Sequence, residues 1–499
     1  MLSVPVSAGS RYRYRSARTL VHMTQTTDLR GVVPGRRPRD GSGRLALAVI
    51  LLGQFMAILD VNIVNVALPT MRADLHASGS GLQLVVAGYI ISYAVLLITG
   101  ARLGDIAGHR RMFHLGLAVF AAASLACGLA PSTGALVVFR FLQGAGAALL
   151  TPQVMSMIQR GFTGAARARA LGLYSAVIAC GSVVGQVAGG LLVSADLFGT
   201  GWRTVFLVNV PIGVALLLAG PRVLPRDETA PPAGAPRTRP DVPGLLTLAP
   251  AVLLFVTPLI MGHELGWPLW GWASLAGSAA FLAAFTVVER RVAASGGRPL
   301  ISPRVLRAPL LVPACVAVVF APGSWSSFLF TTTLHLQGDL ALSPLESGLA
   351  FVPCVTAFAL VGLNWQRLPA RWHGRAVPAG FAVAAAGYVW IGPLSGGGVP
   401  YEALTVVIGA GLGVMPVIMT TALRHVAPED AADASGLLLT LIQLAQVIGI
   451  ATAGTLFLGL AESGGSTGHA EYGTGWALAG ATLVGAVCAL PLARGRAAA

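Results

Sequence analysis

The sequence predicts an all-α polytopic membrane protein, and three observations predict it. The chain of 499 residues is 55% hydrophobic and only 10% charged, whereas soluble domains are about a quarter charged. Its apolar residues gather into runs of roughly the 20 residues needed to cross hydrocarbon. Gly at 62 and Pro at 31 are both abundant, and transmembrane helices tolerate them better than soluble helices do.

The length rule gives fourteen spans, near residues 45–68, 82–101, 112–130, 133–156, 170–193, 203–221, 243–262, 271–288, 308–331, 345–367, 376–393, 402–421, 436–460 and 474–492. The first opens after Arg44, reads "LALAVILLGQFMAI" and is then interrupted by Asp60 in "LDVNIVNVALP". The second ends at an arginine-bearing turn, "GARLGDIAGHRR" (100–111). The fourth contains "RFLQGAGAA" (140–148) and the fifth "GQVAGG" (185–190). The sixth is marginal in length, and the seventh carries Pro250 and Pro258. The ninth carries hydroxyls along much of its length in "SWSSFLFTTTLHLQ" (324–337). The tenth runs from Glu346, expected as a solvated carboxylate, to a second basic turn, "RLPARWHGR" (367–375). The thirteenth holds "LIQLAQVIG" (441–449).

Arginine placement orients these spans. All 33 basic residues are arginine. With both termini on the cytoplasmic side, Arg72 and Arg203 fall outside and Arg140 falls within a span, leaving 30 of the 33 inside. That asymmetry is what the positive-inside rule demands, and a missed span would scramble it. Residues 1–43 are polar and arginine-rich without an apolar core. They are expected to be a disordered cytoplasmic tail attracted to anionic lipid, not a signal peptide; Met23 is an equally good start. The Pro-rich segment 222–242 reads as a cytoplasmic linker, and 289–307 as a cytoplasmic loop. These two loops bracket a helix pair, 243–288, and set apart two six-helix bundles, 44–221 and 308–499. Gly108 and Gly374 occupy corresponding basic turns of the two bundles, as parallel repeats would place them.

Composition also excludes. Without lysine the chain cannot carry a P-loop, so no nucleotide cofactor is expected. The net charge of +14 lies in clusters between apolar runs, as topology signals do, and not as a nucleic-acid surface. Cys127, Cys180, Cys315, Cys354 and Cys488 fall in apolar runs and read as small buried hydrophobes. The histidines are scattered, and no HExxH occurs, so no metal site or enzyme is expected.

Several stretches resemble the major facilitator superfamily, in particular its 14-helix drug:proton antiporter branch. The resemblance covers the chain from about residue 45 onward. "LDVNIVNVALP" is similar to that branch's first-helix motif, with Asn62 in place of threonine. In "ARLGDIAGHRR" Asp105, Gly108, Arg110 and Arg111 match the loop between helices 2 and 3, while Ala101 and His109 depart from it. "RFLQGAGAA" resembles the fourth-helix motif through Arg140, Gln143, Gly144 and Gly146. "GWRTVFLVNVPIG" (201–213) is similar to the branch's entry into helix 6. In the fifth helix Gly181, Gly185, Gly189 and Gly190 keep the small-residue spacing that lets helices approach, but Gln186 stands where the antiporter motif has proline. The resemblance implies a major facilitator fold with two extra central helices. It also implies proton-coupled export of hydrophobic or amphipathic drugs, antibiotics among them, by a plasma-membrane monomer.

A charge in the bilayer centre costs about 3 to over 10 kcal/mol, so Asp60 and Arg140 need a reason to be there. At about 1.5 Å per residue both lie roughly 10–14 Å below the outer ends of their helices, at one level. Burial favours the neutral acid and a nearby arginine favours the carboxylate. Together they poise Asp60 for proton coupling with Arg140 tuning it; the alternative is a structural buried pair. Helical facing separates Asp60 from Asn62, and Asn62 is expected to bond between helices. Gln54, Gln143, Trp325, Phe328, Thr332, Met415, Gln443 and Gln446 are the candidates for a substrate cavity, although Met415 and Met419 also suit simple packing. Asp105, Gly108, Arg110 and Arg111 read as a cytoplasmic gate, the arginines alternatively as topology signals. The rival functions are a uniporter or importer of a small metabolite, and a receptor built on a transporter scaffold.

Overall fold

The computed structural model describes residues 40–226, 242–262, 265–295, 299, 305, 308–369, 372–423, 426 and 431–494. Residues 1–39 of the expected tail, 227–241 of the linker, His263 with Glu264, and most of 296–307 lie outside the described residues. Every regular element among the described residues is helical. In chain order the long helices are α1 (Asp40–Leu75), α2 (Gly79–Ala107), α3 (His109–Gly128), α4 (Thr133–Gly161) and α5 (Gly164–Ala195). They continue with α6 (Gly201–Val223), α7 (Val242–Met261), α8 (Leu269–Ala294), α9 (Leu311–Gln337) and α10 (Pro344–Asn364). The last four are α11 (His373–Ile391), α12 (Gly398–Leu423), α13 (Ala434–Ser463) and α14 (Thr467–Cys488).

Twelve helices among the described residues are long and apolar enough to cross a membrane, which makes this a multi-pass membrane protein. The sequence predicts fourteen spans. The remaining two, α11 and α14, reach 19 and 22 residues but not the required apolarity. His373 and Arg375 open α11, while glycine, threonine, His469 and Glu471 dilute α14.

Local chemistry sets the helix ends. The Ser78 and Ser132 hydroxyls accept backbone N–H groups at the starts of α2 and α4, satisfying donors that would otherwise be orphaned. Ser343 and Glu346 form a capping box at the start of α10, so Glu346 is a helix cap as well as a solvated carboxylate. Between α2 and α3 the chain turns on Gly108 at φ 102°, a conformation that a side chain disfavours.

Two apolar cores organise the chain. One runs through α1 to α6 and takes in Val252 of α7 and Phe285 of α8; it also reaches Phe330 of α9 and Phe457 of α13. The second is built from α9 to α14, around Phe351, Phe381 and Tyr388. The glycines of α5 bring the helices together. A methyl on Gly185 would lie 2.7 Å from Asn62 Cβ, and one on Gly189 would lie 2.8 Å from the Ile63 carbonyl, both on α1. Gly190 faces the Pro344 carbonyl of α10 instead. Gln186 is fully buried on α5 beside Gly348 of α10, and neither atom of its amide has a hydrogen-bond partner among the described residues. At that end Gln337 of α9 also donates to the Val66 carbonyl of α1 at 2.9 Å, and the Leu345 N–H donates to Ser194 of α5 at 3.2 Å. The halves therefore close against each other at the Pro344 end.

Candidate functional site

Asp60 is completely buried on α1. Its carboxylate accepts from Arg140 Nη1 at 2.6 Å, from Gln143 Nε2 at 2.7 Å and from Asn209 Nδ2 at 2.8 Å. Arg140 in turn donates through Nε to the Val85 carbonyl of α2 at 3.0 Å, and through Nη1 to Gln143 Oε1 at 2.7 Å. Gln143 Nε2 also reaches the Ser124 hydroxyl of α3 at 2.7 Å. A charged pair held this way recovers part of its desolvation cost through hydrogen bonds on both partners.

Each partner is delivered by a local cause. Gly144 faces the Tyr89 carbonyl of α2; without a side chain there, α4 approaches α2 closely enough for Arg140 to reach Val85. Asn209 is aimed from α6, whose entry is fixed to the end of α1. There Trp202 Nε1 and Arg203 Nη1 both donate to Asp74 Oδ2, at 2.8 and 2.6 Å. Asn209, Ser124 and Tyr89 carry no role in the sequence reading. The only signal for Asn209 is an amide inside the apolar run of "GWRTVFLVNVPIG".

Beside this cluster lies a cavity of about 660 Å³. Gln54, Trp325, Met415, Gln443 and Gln446 line it, as do Asn62, Tyr89 and Phe358. Gln446 donates to Gln443 at 2.9 Å and accepts from Ser326 of α9 at 3.2 Å. Three cavity candidates lie elsewhere. Gln143 belongs to the Asp60 cluster, Phe328 packs edge-on to Phe351 and Tyr388, and Thr332 donates to Glu471 at 3.0 Å. A period alone does not say which face of α4 or α9 meets the neighbouring helix. Asn62 differs from its expected interhelical bond too: it donates to Ile58 on its own helix at 2.8 Å and lines the cavity. Met419 packs on the second core.

Asp60 itself does not line the cavity. Tyr89 stands between them, with its ring 4.5 Å beneath the Arg140 guanidinium and a surface on the cavity. The cavity reaches Arg102, Asp105 and Ser435, so it extends towards the α2–α3 turn, away from the closed Pro344 end. At that turn Arg160 of α4 donates to Asp105 at 3.0 Å, and His109 lies 3.4 Å from the same oxygen. His109 is held by Gln153 at 2.7 Å. Arg110 donates to the Pro221 carbonyl at the end of α6 at 2.6 Å, and Arg102 donates to the Pro299 carbonyl. Arg111 stands one residue on, in the first turn of α3. The five cysteines are free thiols; Cys127 and Cys354 are buried, whereas Cys180 is exposed on α5, unlike the buried role expected of it. Among the described residues no three His, Cys, Asp or Glu side chains gather as metal ligands would.

Comparison with known proteins bears on what this arrangement does. The profile of the Major Facilitator Superfamily matches residues 50–450. The chain is similar to a probable actinorhodin transporter of Streptomyces coelicolor, at 38% identity over 84% of this chain and 73% of the relative. It is also similar to the cephamycin export protein CmcT of Amycolatopsis lactamdurans, at 37% identity over 89% and 90%. Among solved structures, a bacterial homologue of the lysosomal transporter Spinster shares the fold with a TM-score of 0.61 at 16% identity, covering 90% of this chain and 94% of that one.

Proposed function

The chain belongs to the Major Facilitator Superfamily, a family of membrane transporters and not of enzymes, and from that premise we propose that it is a drug:proton antiporter. It exports hydrophobic or amphipathic antibiotics by alternating access, driven by the proton motive force. The names of its relatives, a probable actinorhodin transporter and a cephamycin export protein, support this reading. The observation that carries it is the coupling geometry: a fully buried ion pair, Asp60 with Arg140, separated from a 660 Å³ cavity by one tyrosine ring.

In this reading Asp60 takes a proton when drug leaves and gives it up when drug enters. Arg140, which cannot release a proton itself, holds the carboxylate in place and matches its charge. Gln54, Trp325, Met415, Gln443 and Gln446 supply the apolar and amide contacts of the drug. Asp105, Gly108, Arg110 and Arg111 form the gate at the cavity's open end, which faces the cytoplasm. The chain works as a monomer of the 14-helix branch. Its bundles 44–221 and 308–499 flank the pair 243–288, and α11 and α14 cross the membrane with the other twelve helices.

A second reading, uniport, is favoured by one observation: Gln186 occupies the place of a kink-forming proline in α5. Transport in proteoliposomes separates the two. An imposed proton gradient drives uphill drug movement if the protein is an antiporter, and a protonophore abolishes it. Drug that only equilibrates, indifferent to the gradient, would overturn antiport.

A further inference from the structure

A second carboxyl group is buried in the C-terminal half, and the chemistry assigned to Asp60 makes no use of it. Glu471, near the start of α14, is 2% exposed. Its Oε1 accepts hydrogen bonds from the Thr332 hydroxyl of α9 at 3.0 Å and the Tyr401 hydroxyl of α12 at 3.1 Å. Its Oε2 is buried with no hydrogen-bond partner among the described residues. Asp60 faces a guanidinium and two amides, but none of the four ion pairs found among the described residues includes Glu471. Two neutral hydroxyls compensate a buried anion poorly, and the cost of such an anion is several kcal/mol. The neutral acid occupies the same place without that cost.

One turn nearer the α9–α10 connection, His335 is 1% exposed. Its Nε2 lies 2.8 Å from the Ser395 carbonyl, which can only accept, so Nε2 carries hydrogen. Its Nδ1 lies 3.0 Å from the Thr467 hydroxyl and is free to take up a proton. Thr467 Oγ1 also accepts the N–H of Asp339 at 3.2 Å, and Asp339 is exposed in the turn between α9 and α10. Polar groups thus lead from solvent at Asp339 to His335, whose ring is 6.0 Å from that of Tyr401. The other titratable groups facing Glu471 are Tyr401 of α12 and Tyr388 of α11, both neutral when protonated. Glu402, Glu462 and His469, on the helices around it, are exposed. His335 is therefore the group whose charge can answer an ionised Glu471.

We propose that Glu471 and His335 form a second proton-binding site, reached from the Asp339 side of the protein. A proton from water binds the Glu471 carboxylate. When it leaves, the O–H bond of Glu471 breaks and an N–H bond forms at His335 Nδ1, so the imidazolium matches the anion. That N–H then breaks in turn and the proton passes to water, leaving the site one proton poorer. The coupling role of this site rests on the antiporter reading, and a transport cycle that uses both sites moves one more proton per drug than Asp60 alone.

Infrared difference spectra of the purified protein in nanodiscs, titrated by pH without drug, test the site directly. The wild type is expected to show two carboxyl bands that come and go with pH. Glu471→Gln removes one and Asp60→Asn the other. Tyr401→Phe keeps the carboxyl and shifts only the frequency of the Glu471 band, while His335→Gln moves its midpoint by about one pH unit or more. A spectrum unchanged by both Glu471→Gln and Tyr401→Phe would overturn the site. In proteoliposomes the proton:drug ratio falls by one in Glu471→Gln. If Asp60→Asn leaves proton-driven export intact while the Glu471 band still titrates, the antiporter chemistry at Asp60 fails and this site stands.

Discussion

Arg140 Nη1 donates to Asp60 Oδ2 at 2.6 Å, across 80 residues of sequence and with both side chains buried. Removing one member of a buried pair strands the other, at about 3–5 kcal/mol. Asp60→Asn is therefore expected to lower thermal stability in detergent, and so is Arg140→Gln. The double variant is expected to lose less than the sum, with a coupling of about 0.5–3 kcal/mol. Strict additivity in the melting data would mean that the two charges do not act as a pair.

Gly144 faces the backbone carbonyl of Tyr89, where a methyl group cannot be accommodated without moving α4. Gly144→Ala should cost about 1–3 kcal/mol by overpacking and should depress export along with stability. Gly134→Ala is the control on the same helix, because nothing lies within 4 Å of a methyl there. Equal melting temperatures for the two variants would show that the close approach of α2 and α4 is not required.

Tyr89 lines the cavity and stacks on the Arg140 guanidinium of the ion pair. Tyr89→Ala removes a cation–π contact worth about 0.5–2 kcal/mol and opens the cavity to Arg140. Drug affinity is expected to fall up to about tenfold, as 1.4 kcal/mol corresponds to tenfold. Tyr89→Phe, which keeps the ring, is expected to bind drug as the wild type does. Binding titrations that separate neither variant from wild type would remove Tyr89 from the coupling path.

Outside the spans, the Asp339 carboxylate accepts the N–H of Gly468 at 2.7 Å, which holds its pKa below the ordinary value of 3.8. A carboxyl whose folded pKa is depressed adds stability above its unfolded pKa, and that stability is lost as pH falls through the folded value. The clip between the α9–α10 turn and α14 is thus intact at neutral pH and fails only under strong acid, below 3.8. Asp339→Asn should remove this part of the acid dependence of melting. An unchanged acid limb in that variant would contradict it.

Much of this organisation is legible in the chain. Apolar runs announce the twelve long apolar helices because the bilayer constrains their length so tightly. The common level of Asp60 and Arg140 follows from the fixed rise of a helix. Facing is less legible. Asn62 reads as an interhelical bond and Thr332 as a cavity contact, yet the first lines the cavity and the second meets Glu471, because the rotation of each helix is set by its neighbours. Asn209 and Glu471 are single polar residues in unremarkable runs, and their meaning comes only from helices far away in sequence. Apolarity falls short in α11 and α14, where close helix–helix packing admits glycines such as Gly380 and Gly475.

Proton exchange at Asp60 is tested most directly by following the pH of a weakly buffered solution of the purified protein as a hydrophobic or amphipathic antibiotic is added. The wild type is expected to release protons in proportion to drug bound, and Asp60→Asn, still folded and still binding, to release fewer. Drug binding with the same proton release from both proteins, or with none from either, would contradict the assignment of coupling to Asp60.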